Sequence, residues 1–300
     1  MRLNRVLFPT DFSKAAEHAL QHALEIAKRF EARITILHVR TLFADDPSHP
    51  EFQMLDQGKY EDYVGEQLRV MTKAVEPFHR VDTVVKRNLS AASAILEFVT
   101  DHNVDMVVMG THGRSALSRF FLGSVAEKVV RHASCPVMTV RSGKDNYRGQ
   151  AQYKKILATF DFSEISKKAV VRSHEFASAY EAELEVLYVV EQVIPPPLDE
   201  IWQASVIREL PEVLTSARQS LETSLGKEGL QGLNLQVRVG DADGKAEGEI
   251  VKYAQDEEFD LVVMGTHGLS GLDHALLGST TERVVRTATC PVLTFHQTRI

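Results

Sequence analysis

Asp105–Val140 reads DMVVMGTHGRSALSRFFLGSVAEKVVRHASCPVMTV, and Asp260–Phe295 reads DLVVMGTHGLSGLDHALLGSTTERVVRTATCPVLTF. Aligned without a gap, 22 of these 36 positions are identical, which chance does not supply. The match extends to the front of each half, where Val6-Leu-Phe-Pro-Thr-Asp-Phe-Ser13 answers Ile156-Leu-Ala-Thr-Phe-Asp-Phe-Ser163. Two copies are too few for a solenoid, so a whole domain is duplicated. The offset is 150 at the front and 155 at the back, so the second copy carries a small net insertion.

Within each copy the hydrophobic period alternates between strand and helix. Arg5–Thr10 and Lys155–Phe160 are short apolar runs ending at an aspartate, which predicts buried strands. Ala16, Ala19, Leu20, Ala23, Ile26, Ala27 and Phe30 share one helical face, with Ser13 and Ser163 placed as N-caps. Second strands are expected at Ile34–Val39 and Leu184–Val190, each followed by a loop (Ala44–Pro50; Ile194–Leu198) and a longer helix. Third strands fall at Val81–Lys86 and Leu233–Val239, third helices at Ala91–Val99 and Ala246–Ala254. Fourth strands fall at Asp105–Met109 and Asp260–Met264, fourth helices at Val125–Arg131 and Thr281–Arg286, fifth strands at Pro136–Val140 and Pro291–Phe295. The expected class is α/β: two tandem Rossmann-like domains, each a five-stranded parallel sheet with helices on both faces. They span 1–142 and 153–300, with a polar linker at 143–152.

Composition agrees with two domains. A length of 300 is about twice a typical domain, and 44% hydrophobic residues suffice for two cores. Lys plus Arg is 34 and Asp plus Glu is 41, a net charge of −7 that argues against a nucleic-acid surface or a polybasic membrane anchor. No apolar run reaches the roughly 18 residues of a membrane span, and the N-terminal stretch breaks too early for a secretory signal. Two cysteines exclude a disulfide scaffold. The expectation is a soluble, cytoplasmic protein.

The fourth strands run into Gly110-Thr-His-Gly113 and Gly265-Thr-His-Gly268, and nine residues later into Gly123-Ser124 and Gly278-Ser279. Both copies fit G-x2-G-x9-G-S. Glycine lets a ligand approach the backbone closely, and each Gly-Ser precedes a helix whose free N–H groups can hold a phosphate. Asp11 and Asp161 emerge at the same sheet edge, where a carboxylate can accept from a ribose hydroxyl or an adenine amino group. A single loose glycine pattern is more often only a turn. Recurrence of three glycines, a hydroxyl and the aspartate in both copies reverses that reading.

With these motifs, the T-[DP]-F-S start and the A-[ST]-C-P-V finish, the chain resembles a tandem universal stress protein over nearly all of residues 2–142 and 153–297. The resemblance implies an adenine nucleotide alpha hydrolase-like sheet, ATP as ligand with Mg²⁺ beside its phosphates, and stress-responsive regulation without dedicated turnover. It assigns adenosine contacts to Pro9, Thr10, Asp11 and Val39, ribose and phosphate contacts to Met109, Gly110, Gly113 and Arg114, and the phosphate cradle to Gly123, Ser124 and Val125. The second-copy counterparts are Thr159, Asp161, Val189, Met264, Gly265, Gly268, Gly278, Ser279 and Thr280, with Thr281 as a second hydroxyl that Ala126 does not supply. Phe160 stands at the place of Thr10, and Leu269 replaces the cationic Arg114, so each site departs from the pattern differently. On charge alone the first site is expected to bind ATP more tightly. The family also implies pairing of the halves through their apolar fifth strands, with homodimer formation as a further step.

Other constellations read as structural. His18 and His22 lie four apart on one helix with no nameable third ligand, so they are expected as solvated or half-buried residues rather than metal ligands. His112 and His267 sit inside the glycine loops as loop-positioning residues or phosphate contacts, not as catalytic bases. Cys135 and Cys290 are expected as small buried hydrophobes. Gly240–Lys245 lacks the spacing of a P-loop or an EF-hand. An ATP-binding regulatory module is therefore the expectation, with a phosphate-transferring enzyme and a nucleotide-free scaffold as alternatives. Signatures of nucleotide-transferring relatives (H-x-G-H, S-G-G-x-D-S) do not occur.

Overall fold

The computed structural model describes residues 1–41, 57–75, 80–111, 122–141, 151–191, 200–240, 244–268 and 277–296, without the side chains of Gln57, Ala74 and 200–210. The chain divides into two compact units, one built on Arg2–Gln152 and one on Tyr153–Gln297. Most of the expected linker, at 143–150, lies outside the described residues.

The first unit runs β1 (Arg5–Thr10), α1 (Lys14–Arg29), β2 (Arg33–Thr41), α2 (Gln57–Ala74), β3 (Val81–Asn88), α3 (Ala91–Asp101), β4 (Met106–Gly110), α4 (Ser124–His132) and β5 (Val137–Val140). The second runs β6 (Lys155–Phe160), α5 (Glu164–Tyr180), β7 (Glu183–Val190), α6 (Glu200–Lys227), β8 (Asn234–Val239), α7 (Ala246–Asp256), β9 (Leu261–Gly265), α8 (Ser279–Thr287) and β10 (Val292–Phe295). Within the first unit the strand order is β3-β2-β1-β4-β5, and within the second β8-β7-β6-β9-β10. Every described pairing in both is parallel.

Each element follows from its residues. Strand β1 is buried from Val6 to Thr10 because both faces of a parallel sheet are covered. Lys86 lies 5.2 Å over the Phe98 ring of α3, while its neighbour Arg87 reaches Glu61 of α2 at 2.6 Å. Successive strand residues point to opposite faces, so α2 and α3 cover opposite sides of the sheet. Helix α1 begins where the Ser13 hydroxyl accepts the Ala16 N–H at 3.2 Å, and it ends on Lys28 and Arg29, which suit the negative dipole end. Its alanine-rich face lets it lie close on β1 and β4. Fully buried Phe8, Ile26, Ile34, Ile36 and Leu37 form the centre of the first core, each contributing about 1.5–3 kcal/mol by leaving water.

One tie that the sequence reading does not foresee recurs in both units. Asp105, just before β4, accepts the N–H groups of Asn4 and Arg5 at 2.8 and 2.9 Å. Asp260 accepts those of Lys154 and Lys155 at the same distances. A carboxylate thus fastens the start of the first strand to the fourth. No described helix is long and apolar enough to cross a membrane.

Candidate functional site

In each unit the strand order turns back between the first and fourth strands, so β1 and β4, like β6 and β9, send their following loops to opposite sides. A crevice opens outside the carboxyl ends at such a point, where ligands of open α/β sheets bind. Asp11 and Gly110 stand there in the first unit, Asp161 and Gly265 in the second.

The turn that presents the aspartate is strained in both copies. Phe12 and Phe162, with φ of +63° and +66°, occupy the left-handed region, which costs a side chain about 1–3 kcal/mol. The turn is held locally: Asp11 Oδ1 accepts the Ser13 N–H at 3.0 Å, and Asp161 Oδ1 accepts both the Ser163 N–H at 3.0 Å and its hydroxyl at 2.5 Å. Ser163 in turn accepts the Ser166 N–H and caps α5. One oxygen of Asp161 is thereby fixed, and the other faces Gly268.

The glycines do different jobs. A Cβ on Gly110 would lie 2.9 Å from the Ala15 backbone carbon, and one on Gly265 would lie 2.8 Å from Ile165 Cγ2. The first glycine of the motif is therefore needed for packing of the fourth-strand end against the helix that follows the first strand. Gly268 is different: a Cβ there would lie 2.6 Å from Asp161 Oδ2. The glycine loop and the first-strand carboxylate thus meet, and only a residue without a side chain leaves that carboxylate accessible.

The Gly-Ser pairs close the site. Gly123 N–H donates to the Thr111 carbonyl at 2.7 Å, and Gly278 N–H to that of Thr266 at 2.8 Å, which sets each Gly-Ser pair beside the end of β4 or β9. Gly123 and Gly278 are extended N-caps of α4 and α8, and neither helix has a side-chain cap. Their first-turn N–H groups remain available to an anion. Ser124 and Ser279 are exposed and Val125 and Thr280 half-buried. Thr281 points the other way: it is buried, and its hydroxyl donates to the Gly265 carbonyl at 2.8 Å. Its counterpart Ala126 is buried too, so the hydroxyl braces the loop from inside.

Pro9, Thr10, Met109, Thr159, Val189 and Met264 are buried and Val39 is half-buried, placing mainly their backbone at the crevice. Gly113, Arg114, His112 and Leu269 lie outside the described residues. His267 Nδ1 lies 2.9 Å from Thr266 Oγ1.

A second network, invisible to spacing arguments, supports the first-unit turn. His38 Nδ1 is 2.9 Å from the Thr10 carbonyl and Nε2 is 3.0 Å from the Tyr60 hydroxyl. A carbonyl only accepts, so Nδ1 carries a proton, and in the neutral form of the ring Tyr60 donates to Nε2. Phe12 stacks on His38 with centroids 4.5 Å apart, and Tyr63 meets Phe12 edge-on at 6.2 Å. In the second unit Tyr188 takes the place of His38, and Phe162 meets Phe160 and Tyr188 edge-on at 5.0 and 4.9 Å.

The histidine pair needs a correction. His18 is half-buried, but His22 is buried rather than solvated, and burial followed by repulsion from His18 lowers its pKa to about 4. Cys135 is buried, and desolvation pushes the Cys290 thiol up to about 12. In the 240–245 stretch, a side chain on Gly240 would meet the Gly244 carbonyl at 2.5 Å, a closeness that makes the glycine a steric necessity; 241–243 lie outside the described residues.

Each unit is thus a parallel α/β domain with an aspartate and a glycine-capped helix at its switch point. The chain belongs to the universal stress protein family, whose model matches residues 2–141 and 152–296. It is 33% identical over 220 residues to a universal stress protein of Mycobacterium tuberculosis, covering 71% of this chain and 69% of that one. A universal stress protein of Methanocaldococcus jannaschii is 32% identical over 142 residues, covering 47% of this chain and 83% of its own. The crystal structure of a universal stress protein from Archaeoglobus fulgidus shares the fold, with TM-score 0.69 at 20% identity over 99% of this chain and 100% of that one.

Proposed function

We propose that each domain binds an adenine nucleotide and that ATP, accompanied by Mg²⁺, is the ligand through which this chain acts as a cytoplasmic stress-response regulator rather than a turnover enzyme. The observation that carries this reading is the meeting of Gly268 with the second oxygen of Asp161, in a unit whose α8 N-terminus is left uncapped by side chains. In the first domain the proposed contacts are the Asp11 carboxylate and the backbone of Pro9, Thr10, Val39, Met109 and Gly110. Gly113, Arg114, Gly123, Ser124 and Val125 hold the phosphates. In the second domain Asp161 and the backbone of Thr159, Val189, Met264 and Gly265 hold the nucleoside. Gly268, Gly278, Ser279 and Thr280 hold the phosphates there. Thr281 acts by bracing the loop. Magnesium would be carried by the triphosphate and would offset its charge. Equilibrium binding of ATP with Mg²⁺ to nucleotide-stripped protein tests this. Absence of binding at millimolar ATP sinks it, and steady multiple-turnover phosphate release replaces the regulator by an enzyme.

A further inference from the structure

The two units treat the same face of their sheets differently. In the first unit the space over Phe12 and His38 is filled from α2 by Tyr60 and Tyr63, while Met71 reaches Thr10. In the second, Phe162 and Tyr188 form the floor of an open groove of about 480 Å³. Its wall is a face of α6 that carries Val213, Ser216, Ala217 and Ser220, and Glu212 stands at one end. These residues recur at helical spacing and are small where α2 is large, so no described side chain of α6 fills the space as Tyr60 and Tyr63 fill its counterpart. The volume lies within the roughly 300–1,000 Å³ of small-molecule sites.

The chemistry of the walls selects the occupant. Among the described residues, none hydrogen-bonds the Tyr188 hydroxyl, the Glu212 carboxylate or the hydroxyls of Ser216 and Ser220. Tyr188 is raised above its ordinary pKa by burial and then by the charges of Asp161 and Glu191, so two more carboxylates act at the groove floor. An anion is repelled by all three. A neutral apolar molecule covers the rings but gains nothing from Glu212. A metal ion meets no cluster of three acidic, histidine or cysteine ligands among the described residues. An alkylated ammonium uses the ring faces and the carboxylate together.

We propose that the groove between Phe162, Tyr188 and α6 is a binding site for a small organic cation bearing an alkylated ammonium head. This site borders the nucleotide crevice through Asp161 and Val189, the chain neighbours of Phe162 and Tyr188, and stands whether or not ATP binds. Choline is the probe and 3,3-dimethylbutan-1-ol its neutral isostere, titrated into the full chain by NMR. Choline is expected to bind about three- to tenfold more tightly than the isostere. Glu212→Gln, at an exposed position that leaves the fold intact, is expected to remove most of that preference. Ala217→Met, which fills the groove as α2 fills its counterpart, is expected to abolish binding while thermal melting confirms folding. Equal affinity for the isostere, binding that survives Ala217→Met, or no binding of choline at all overturns the proposal.

Discussion

Gly268→Ala is the sharpest probe of the nucleotide site, because the structure gives the size of the conflict. The new methyl would lie 2.6 Å from Asp161 Oδ2, against the 3.4 Å at which ordinary contact begins, so the carboxylate must retreat by about 0.8 Å. That retreat pulls Oδ1 away from the Ser163 N–H and hydroxyl, the same serine that caps α5. Two effects of different size follow. Weakening the cap costs about 0.5–2 kcal/mol of stability, a fall of a few degrees in Tm. Withdrawing a charged acceptor from the ligand costs about 1.5–3 kcal/mol of binding, or about ten- to a hundredfold in affinity at the second site. Calorimetric titration of ATP reads both sites at once. One of two equivalents is expected to weaken by that factor while the other is unchanged, and Gly123→Val is expected to remove the other. Two unchanged equivalents in a Gly268→Ala protein with lowered Tm would show that Asp161 does not face the nucleotide.

Further outcomes follow from the same geometry. Arg114→Leu is expected to bring the two ATP affinities closer together in a two-site titration, because it removes the cation that the second copy lacks; a tight phase lost instead in Gly278→Val inverts the ranking. Thr281→Ala, which strands the Gly265 carbonyl, is expected to destabilise by about 1 kcal/mol in urea melts and to change ATP affinity less than twofold. Tyr60→Phe leaves His38 Nε2 without its donor and is expected to cost about 1–3 kcal/mol. His22, near 4 when folded and 6.5 when unfolded, binds its proton first in the unfolded chain. Stability is therefore unaffected by this group above about pH 6.5 and falls as pH drops from there towards 4, by up to about 3 kcal/mol. His22→Leu is expected to flatten that slope in denaturant titrations between pH 4 and 6.5.

The repeat made the architecture readable. Once Asp105–Val140 and Asp260–Phe295 are matched, each apolar run in one half checks its counterpart, and the strands and helices of the structure fall within a few residues of the expected ones. What stayed hidden depends on direction rather than position. Thr281 and Ser279 both look like phosphate hydroxyls in sequence, yet two residues along the helix turn one inward to Gly265 and leave the other to solvent. The left-handed Phe12 and Phe162 were marked only by their recurrence, since nothing about phenylalanine favours that conformation. His38 could not be joined to Tyr60 without knowing that α2 lies across the end of β2. The small residues of α6 signify a void only once Phe162 and Tyr188 are known to lie beneath them.

The clasp between the first and fourth strands bears on how the chain is made. Asn4 and Arg5 wait for Asp105, 101 and 100 residues later, and Lys154 and Lys155 wait about as long for Asp260. At a synthesis rate of about 5–20 residues per second, each first strand spends about 5–20 s outside the ribosome before its central neighbour emerges. Val6, Leu7 and Phe8, which end fully covered, have α1 and β2 beside them early but lack their β4 neighbour throughout that interval. The growing chain meets this delay twice, once per copy, and in each the first strand is closed on its second side only when the fourth arrives.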